Sequence, residues 1–169
     1  LEPSGWTYQI QNDLLINLNL AIEKSIFKIN YMDISGLAIG KLGTYQTQLA
    51  VGMQFRAGLI PRSFNPFVAA KPNSIEYFAN ERKLPVWIFF DIFSHRIFHD
   101  ATLNGGSFSD KNSYTIQASN TEKYTLEMAS GISARVKNSS ISIKLVYLST
   151  EFKHGKAHKW GAISLMHNL

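Results

Sequence analysis

No cysteine occurs among the 169 residues, which excludes disulfide scaffolds, cysteine-ligated zinc and thiol catalysis. Charge is also scarce: 17% of the residues are charged, against the ~25% of an average soluble chain. The longest apolar run is Leu84 to Phe90, Pro85 included, far short of the ~20 residues a membrane helix needs. A helical membrane protein is excluded. Seventeen Lys and Arg against twelve Asp and Glu leave a net charge of +5, but no basic run that would serve as a nucleic-acid arm. No nucleic-acid partner is expected. There is no GxSxG elbow, phosphate-binding GxxxxGK[ST] loop or EF-hand pattern. The chain opens Leu1-Glu2-Pro3, without an initiator Met or a signal peptide, and is expected to be a mature product or a fragment. Gly36, Gly40 and Gly43 lack dinucleotide-loop spacing and are expected in a turn between two strands.

What the chain does have is aromatic residues, 12% of the total, and strict alternation. Leu14, Ile16, Leu18, Leu20 and Ile22 alternate with Asn17, Asn19 and Glu23. Leu49, Val51, Met53, Phe55 and Ala57 alternate with Gln48, Ala50, Gly52, Gln54 and Arg56. Leu126, Met128, Ile132, Ala134 and Val136 stand against Thr125, Glu127, Ser133 and Arg135, and Ile141, Ile143, Leu145 and Tyr147 against Ser142 and Lys144. In the last stretch Ile163, Leu165 and Leu169 oppose Ser164 and Asn168. A period of two means strands, because a helix would return apolar residues every three or four positions.

About seven strands are expected, near 8–22, 25–36, 43–57, 85–98, 122–137, 140–152 and 157–169, with Glu23-Lys24-Ser25 and Lys137-Asn138-Ser139 as tight turns. The stretch from Gly58 to Leu84, with Pro61, Pro66 and Pro72, is the long loop, and Asp110 to Asn120 is a second loop or a short strand pair. Long loops on one rim and short turns on the other is the outer-membrane pattern. Strands of roughly ten to fourteen residues exceed the five or six common in soluble sheets, and an oblique membrane-crossing strand takes about nine to eleven. The fold class is therefore all-β, an antiparallel up-and-down transmembrane barrel with a polar lumen. Trp87, Tyr31, Tyr124, Tyr147 and Trp160 are candidates for its interfacial girdles. A soluble β-sandwich, which also alternates, stays open as the rival. Seven is odd where single-chain bacterial barrels close with an even number, which points to a missing part.

Chemistry-bearing residues are few. His95 and His99, with Asp100 beside them, are spaced by four, which places both on one face of either a helix or a strand, so a shared metal is conceivable. Arg96 replaces the Glu of HExxH and no third ligand is apparent, so a polar strand end is the blander reading. His154 and His158 lie in a Lys-rich turn and read as solvated, and Asp13, Asp33 and Asp91 interrupt apolar surroundings, as carboxylates facing a polar lumen, the blander reading, or a catalytic cation would. No metal ligand is assigned. Arg56, Arg62 and Arg96, with Lys71, are candidates for anionic headgroup phosphates, whose oxygens a guanidinium grips with its planar fork. Solvated rim or luminal charge is the alternative.

Three blocks carry a family resemblance. Gly5-Trp6-Thr7-Tyr8-Gln9-Ile10-Gln11-Asn12-Asp13 looks like the GWxxQLxNE stretch of the LpxR-type lipid A 3′-O-deacylases of Gram-negative outer membranes. Arg96-Ile97-Phe98-His99-Asp100-Ala101-Thr102-Leu103-Asn104-Gly105-Gly106-Ser107-Phe108 is similar to that family's RNIxLDGNTF-like segment. Ser149-Thr150-Glu151-Phe152-Lys153-His154-Gly155, followed by Trp160-Gly161-Ala162-Ile163-Ser164-Leu165, resembles its closing TxEFxxG…FGAISL strand pair.

The resemblance implies a twelve-stranded barrel of which residues 1–169 are a single domain, the C-terminal part. It implies a monomer in the bacterial outer membrane that acts on lipid A of lipopolysaccharide as a carboxylic ester hydrolase. The cofactor it implies is Ca²⁺, with a His acting as base on water and an Asn-Asp pair and a Ser around the ion. All of these would precede Leu1. No catalytic residue is carried over: Asn12-Asp13 match the block after GW, and none of His95, His99, His154, His158 or His167 matches the catalytic position. The chain alone is expected to be inactive. A small non-catalytic structural or adhesive barrel is the alternative.

Overall fold

The computed structural model describes residues 14–60, 84–106, 108, 115–136 and 139–167. Seven strands follow one another: β1 (Asn17–Ile29), β2 (Met32–Gly43), β3 (Gln46–Gly58), β4 (Val86–Asp100), β5 (Tyr124–Val136), β6 (Ser139–Leu148) and β7 (His158–His167), with one helical turn, α1 (Ala101–Asn104), after β4. Each strand pairs antiparallel with the next, in the order β1 to β7. This is an up-and-down sheet, as the alternation predicts.

The register sorts the side chains into two unlike faces. Buried groups fall on one: Asp33, Ser35, Leu37, Gln48, Ala50, Gln54, Arg56, Trp87, Phe93, Thr125, Ala129, Ser133 and Val146. The cross-strand partners Ser35, Gln54, Asp91 and Ala129 form one row of it. The opposite face is apolar and bare, and its largest side chains reach 74% exposure at Ile163 and 77% at Leu165. Ile88, Ile132, Ile143 and Ile163 align across four strands of that face. A soluble sandwich would bury such a face against a second sheet, yet among the described residues nothing packs on it. Polar inside and apolar outside is the partition of a membrane-crossing barrel wall.

From Val86 to Arg96, ten residues along β4, a strand at ~3.3 Å per residue and ~40° of tilt rises about 25 Å, the height of an outer-membrane apolar band.

Small residues let the inner face close up. Gly131 lies under the Phe89 ring, whose Cζ is 2.7 Å from where a Cβ would stand. Gly58 ends β3 at φ +132°, where its N–H donates to Tyr31 O at 2.9 Å.

Several boundaries differ from expectation. Glu23-Lys24-Ser25 is strand, because Glu23 turns inward to an arginine while a bulge between Ser25 and Phe27 absorbs the irregularity. The tight turns are Asn30–Tyr31 and Thr44–Tyr45. The second is tied down by Thr44 Oγ1, which accepts from Ile16 N–H (2.9 Å) and donates to Leu14 O (2.8 Å). Gly36 and Gly40 lie within β2 on the outer face rather than in a turn.

Long connections do not gather on one rim. The strand ends joined by the β3–β4 connection lie on the rim of Asn30–Tyr31, and those joined by the β4–β5 and β6–β7 connections on that of Thr44–Tyr45. Of the girdle aromatics, Trp87 is 2% exposed on the inner face, and Trp160 shares the inner register of Val146. Odd numbering on β4 and even numbering on β6 and β7 point inward, so neither meets lipid. Tyr31 stands at one rim, while Tyr124 and Tyr147 stand on the outer face towards the other. The Gly5–Asp13 block, most of the loop with Pro61, Pro66 and Pro72, the turn residues Lys137 and Asn138, and Asn168 and Leu169 lie outside the described residues.

Candidate functional site

The inner wall carries a network of charges. Arg56, 3% exposed, donates from one Nη2 to Glu23 Oε1 at 2.7 Å and to Ser35 Oγ at 3.2 Å, and lies 3.4 Å from Asp33 Oδ2. Ser25 and Ser35 donate to Asp33 Oδ1 at 3.4 and 3.3 Å. Three strands are thus laced together by one guanidinium and two carboxylates, the composition a buried charge requires. Farther along, His95 Nε2 lies 3.5 Å from Glu127 Oε2 across β4 and β5, and Lys41 donates to Gln46 Oε1 at 3.2 Å.

Arg56 is committed to protein carboxylates inside the wall and is turned away from headgroups. Asp33 and Asp91 hold the luminal positions that their apolar surroundings suggested. Asp13, Arg62 and Lys71 lie outside the described residues.

His95 and His99 do not share a face. The register on β3 slips between Thr47 and Gln48, opposite His99 and Ile97, so Phe98 is extra. The bulge leaves His95 inward and His99 in the outer register. No group of three or more His, Asp or Glu that could hold a metal occurs among the described residues. Of the inward carboxylates, Glu23 and Asp33 serve Arg56, Glu127 faces His95 and Asp100 caps α1, so the described residues do not gather the oxygen ligands that a calcium ion takes.

His158 Nε2 lies 3.7 Å from Glu151 Oε2, and His154 sits at φ +64° in the same connection. His167 Nδ1 and Ser139 Oγ are 2.8 Å apart across β6 and β7. His167 is exposed and Ser139 half-buried, and no carboxylate among the ion pairs of the described residues orients the ring, so this is a strand clasp rather than a nucleophile with its base.

The 96–108 block has a structural account. Asp100 ends β4, caps α1 by accepting from Thr102 N–H at 2.9 Å, and accepts from Gln46 Nε2 at 2.9 Å. Asn104 donates to Ile116 O at 3.0 Å and closes the connection on itself. Arg96 lies on the outer face. Its guanidinium carbon is 5.1 Å from the centre of the Phe98 ring and 5.8 Å from that of Tyr124. A cation on an aromatic shelf at the end of an apolar wall is set at headgroup level. The sequence sets Glu23 on the polar face with Asn17 and Asn19 and also at the start of a turn, but gives no sign of its ion pair with Arg56.

Comparison with known proteins gives one consistent result. A family model described as "Outer membrane protein LpxR" matches residues 1–169. No curated protein matches. The solved structure of LpxR from Salmonella typhimurium superposes with a TM-score of 0.69 at 14% identity, over 96% of this chain and 55% of that one. Residues 1–169 therefore span about half the length of that protein, and at this identity the likeness speaks for the fold.

Proposed function

The chain belongs to the LpxR family of outer membrane proteins, and from that premise we propose that it forms the wall of a lipid A 3′-O-deacylase. The reading rests on the family match over the whole chain, together with a sheet whose polarity is inverted for a lipid surround. In the reaction, water adds to the ester carbonyl, the sugar 3′-oxygen leaves as a hydroxyl, and the acyloxyacyl group departs as a carboxylate. The base, the Asn-Asp pair, the Ser and Ca²⁺ would belong to the half of the family length that residues 1–169 do not span. No step is assigned to this wall. Its part is to hold the substrate's surroundings: an apolar face for acyl chains and Arg96 at headgroup level as a phosphate contact.

Mass spectrometry of lipid A from a Gram-negative host tests the proposal. Expression of the complete gene is expected to give lipid A lacking the 3′-acyloxyacyl group, while residues 1–169 alone leave it fully acylated. Intact lipid A in cells that hold the folded complete protein would overturn the enzyme reading in favour of a non-catalytic barrel.

A further inference from the structure

The outer face carries few charges, and all of one sign. The carboxylates of the strands, Glu23, Asp33, Asp91, Asp100 and Glu127, stand in the inner register, whereas Lys24, Arg96 and Lys159 stand in the outer one. Arg96 and Lys159 lie towards the rim of Thr44–Tyr45 and rest on aromatic rings. Lys24 has no such shelf. It pairs with Gly36, faces away from its inward neighbour Glu23 and is exposed. Leu18, Leu20 and Ile22 precede it on the outer face, and Ile26, Phe27 and Ile29 follow it. Ile26 lies over Gly36, its Cδ1 3.3 Å from where a Cβ would stand. None of the ion pairs among the described residues includes Lys24. A cation bracketed by apolar side chains on a lipid-facing strand is costly and calls for an anion. Since the outer face of the seven strands holds no carboxylate, that anion comes from beyond them.

We propose that Lys24 holds the phosphate of one glycerophospholipid from the leaflet on the side of Asn30–Tyr31, opposite to the leaflet that Arg96 faces. Gly36, the partner of Lys24, is four residues from Met32 at the end of β2, which at ~3.3 Å per residue and ~40° of tilt is about 10 Å of height from that rim. The lysine stem, turned towards the headgroups, covers about half of this, and a phosphate drawn inward covers the rest by thinning the bilayer locally. Beside Lys24 the outer face of β2 offers only Gly36, Ala38 and Gly40, between Leu20 and Ile22 of β1 and Leu49 and Val51 of β3. An acyl chain of the same lipid runs along that strip. This lipid is not the substrate, because lipid A, in the reading above, lies at the other rim. The site requires only that the outer face meet lipid, and does not depend on deacylation.

The test uses the complete protein in nonionic detergent, with Arg96→Met and Lys159→Met silencing the cations of the other rim. Native mass spectrometry counts bound lipid as dioleoylphosphatidylglycerol, or purified lipopolysaccharide in a second titration, is added. Proteins with Lys24 or Lys24→Arg are expected to bind one phosphatidylglycerol about tenfold more tightly than Lys24→Met, the loss of one charge-assisted contact. Heat-modifiable gel mobility shows that each variant is folded. The readout is bound lipid and not acyl loss, so an inactive enzyme leaves it unaffected. Equal affinity of the Lys24 and Lys24→Met proteins for phosphatidylglycerol would overturn the proposal, and with a fall in stability on Lys24→Met it would point to a carboxylate on a flanking strand instead. A Lys24-dependent affinity greater for lipopolysaccharide than for phosphatidylglycerol would overturn it too.

Discussion

Arg56→Met probes the inner network most directly. The side chain it removes is 3% exposed and faces carboxylates on two other strands, whose side chains are 15% (Glu23) and 5% (Asp33) exposed. Methionine keeps the length and the apolar stem but leaves two acids inside the wall without their cation. Removing one partner of a buried ion pair costs about 3–5 kcal/mol. Here the lower end applies, because Glu23 lies on an end strand and Ser25 and Ser35 still donate to Asp33. The expected loss is about 3 kcal/mol, from the same reasoning. The assay is urea unfolding of the complete protein in lipid vesicles, followed by tryptophan fluorescence and heat-modifiable mobility. A triple variant that adds Glu23→Gln and Asp33→Asn separates causes, since neutral amides no longer need the guanidinium. It should recover more than half of the loss, as coupling within one network predicts. A single variant within about 0.5 kcal/mol of wild type, the range of ordinary surface substitutions, would refute the buried network. So would a triple variant no more stable than the single one.

The two faces predict opposite tolerance. Ile143→Arg, at mid-height on the outer face, should cost about 2–4 kcal/mol in vesicle unfolding, whereas Ser142→Arg on the inner register should cost far less; equal costs would refute the assignment of faces. Gly58→Ala should destabilise by about 1–3 kcal/mol, the scale of local backbone strain, because φ is +132° and the new methyl would meet Val86 O at 2.5 Å. Gly40→Ala, which meets no atom within 4 Å, should be nearly silent by the same measurement. Gly131→Val should destabilise the sheet, because the new Cβ would meet the Ile143 backbone oxygen as well as the Phe89 ring, and Phe89→Ala, which relieves the ring contact alone, should restore only a small part of the loss.

Much of this was legible because a period of two survives any change of neighbour. β3 reads directly from Gln48 to Ala57, and its polar parity lands on the inner face residue for residue. What failed depended on partners outside the segment. Glu23-Lys24-Ser25 has the composition of a turn, but it pairs in register with Leu37, Gly36 and Ser35, and the Arg56 guanidinium, 33 positions from Glu23, holds the carboxylate inward. The spacing of His95 and His99 assumes a regular strand, and the bulge at Phe98 breaks that assumption without any glycine or proline to announce it. Trp87 and Trp160 belong to the residue type that girdles use, but parity places both inside.

The edges of the sheet decide what residues 1–169 can do alone. Among the described residues β1 and β7 each pair on one side, leaving the outer sides of strands of 13 and 10 residues without a ladder. In hydrocarbon each such backbone group costs several kcal/mol, since no water reaches it. About half the N–H and C=O groups of each edge face outward, so the total penalty is tens of kcal/mol. That exceeds the ~5–15 kcal/mol by which a folded domain is stable. Charge at the edge does not remedy this, because the outer face of both strands, Lys24 and Lys159 apart, is apolar: Leu18, Leu20 and Ile22 on β1, Ile163 and Leu165 on β7. The sheet therefore needs strands on both flanks before it can enter a bilayer. Expressed without them, residues 1–169 should collect as insoluble aggregate with no heat-modifiable form, as open apolar edges do. A protease-resistant, heat-modifiable band in outer membranes from residues 1–169 alone would show that the edges find partners, in each other or in a second copy, and would refute the energetic argument.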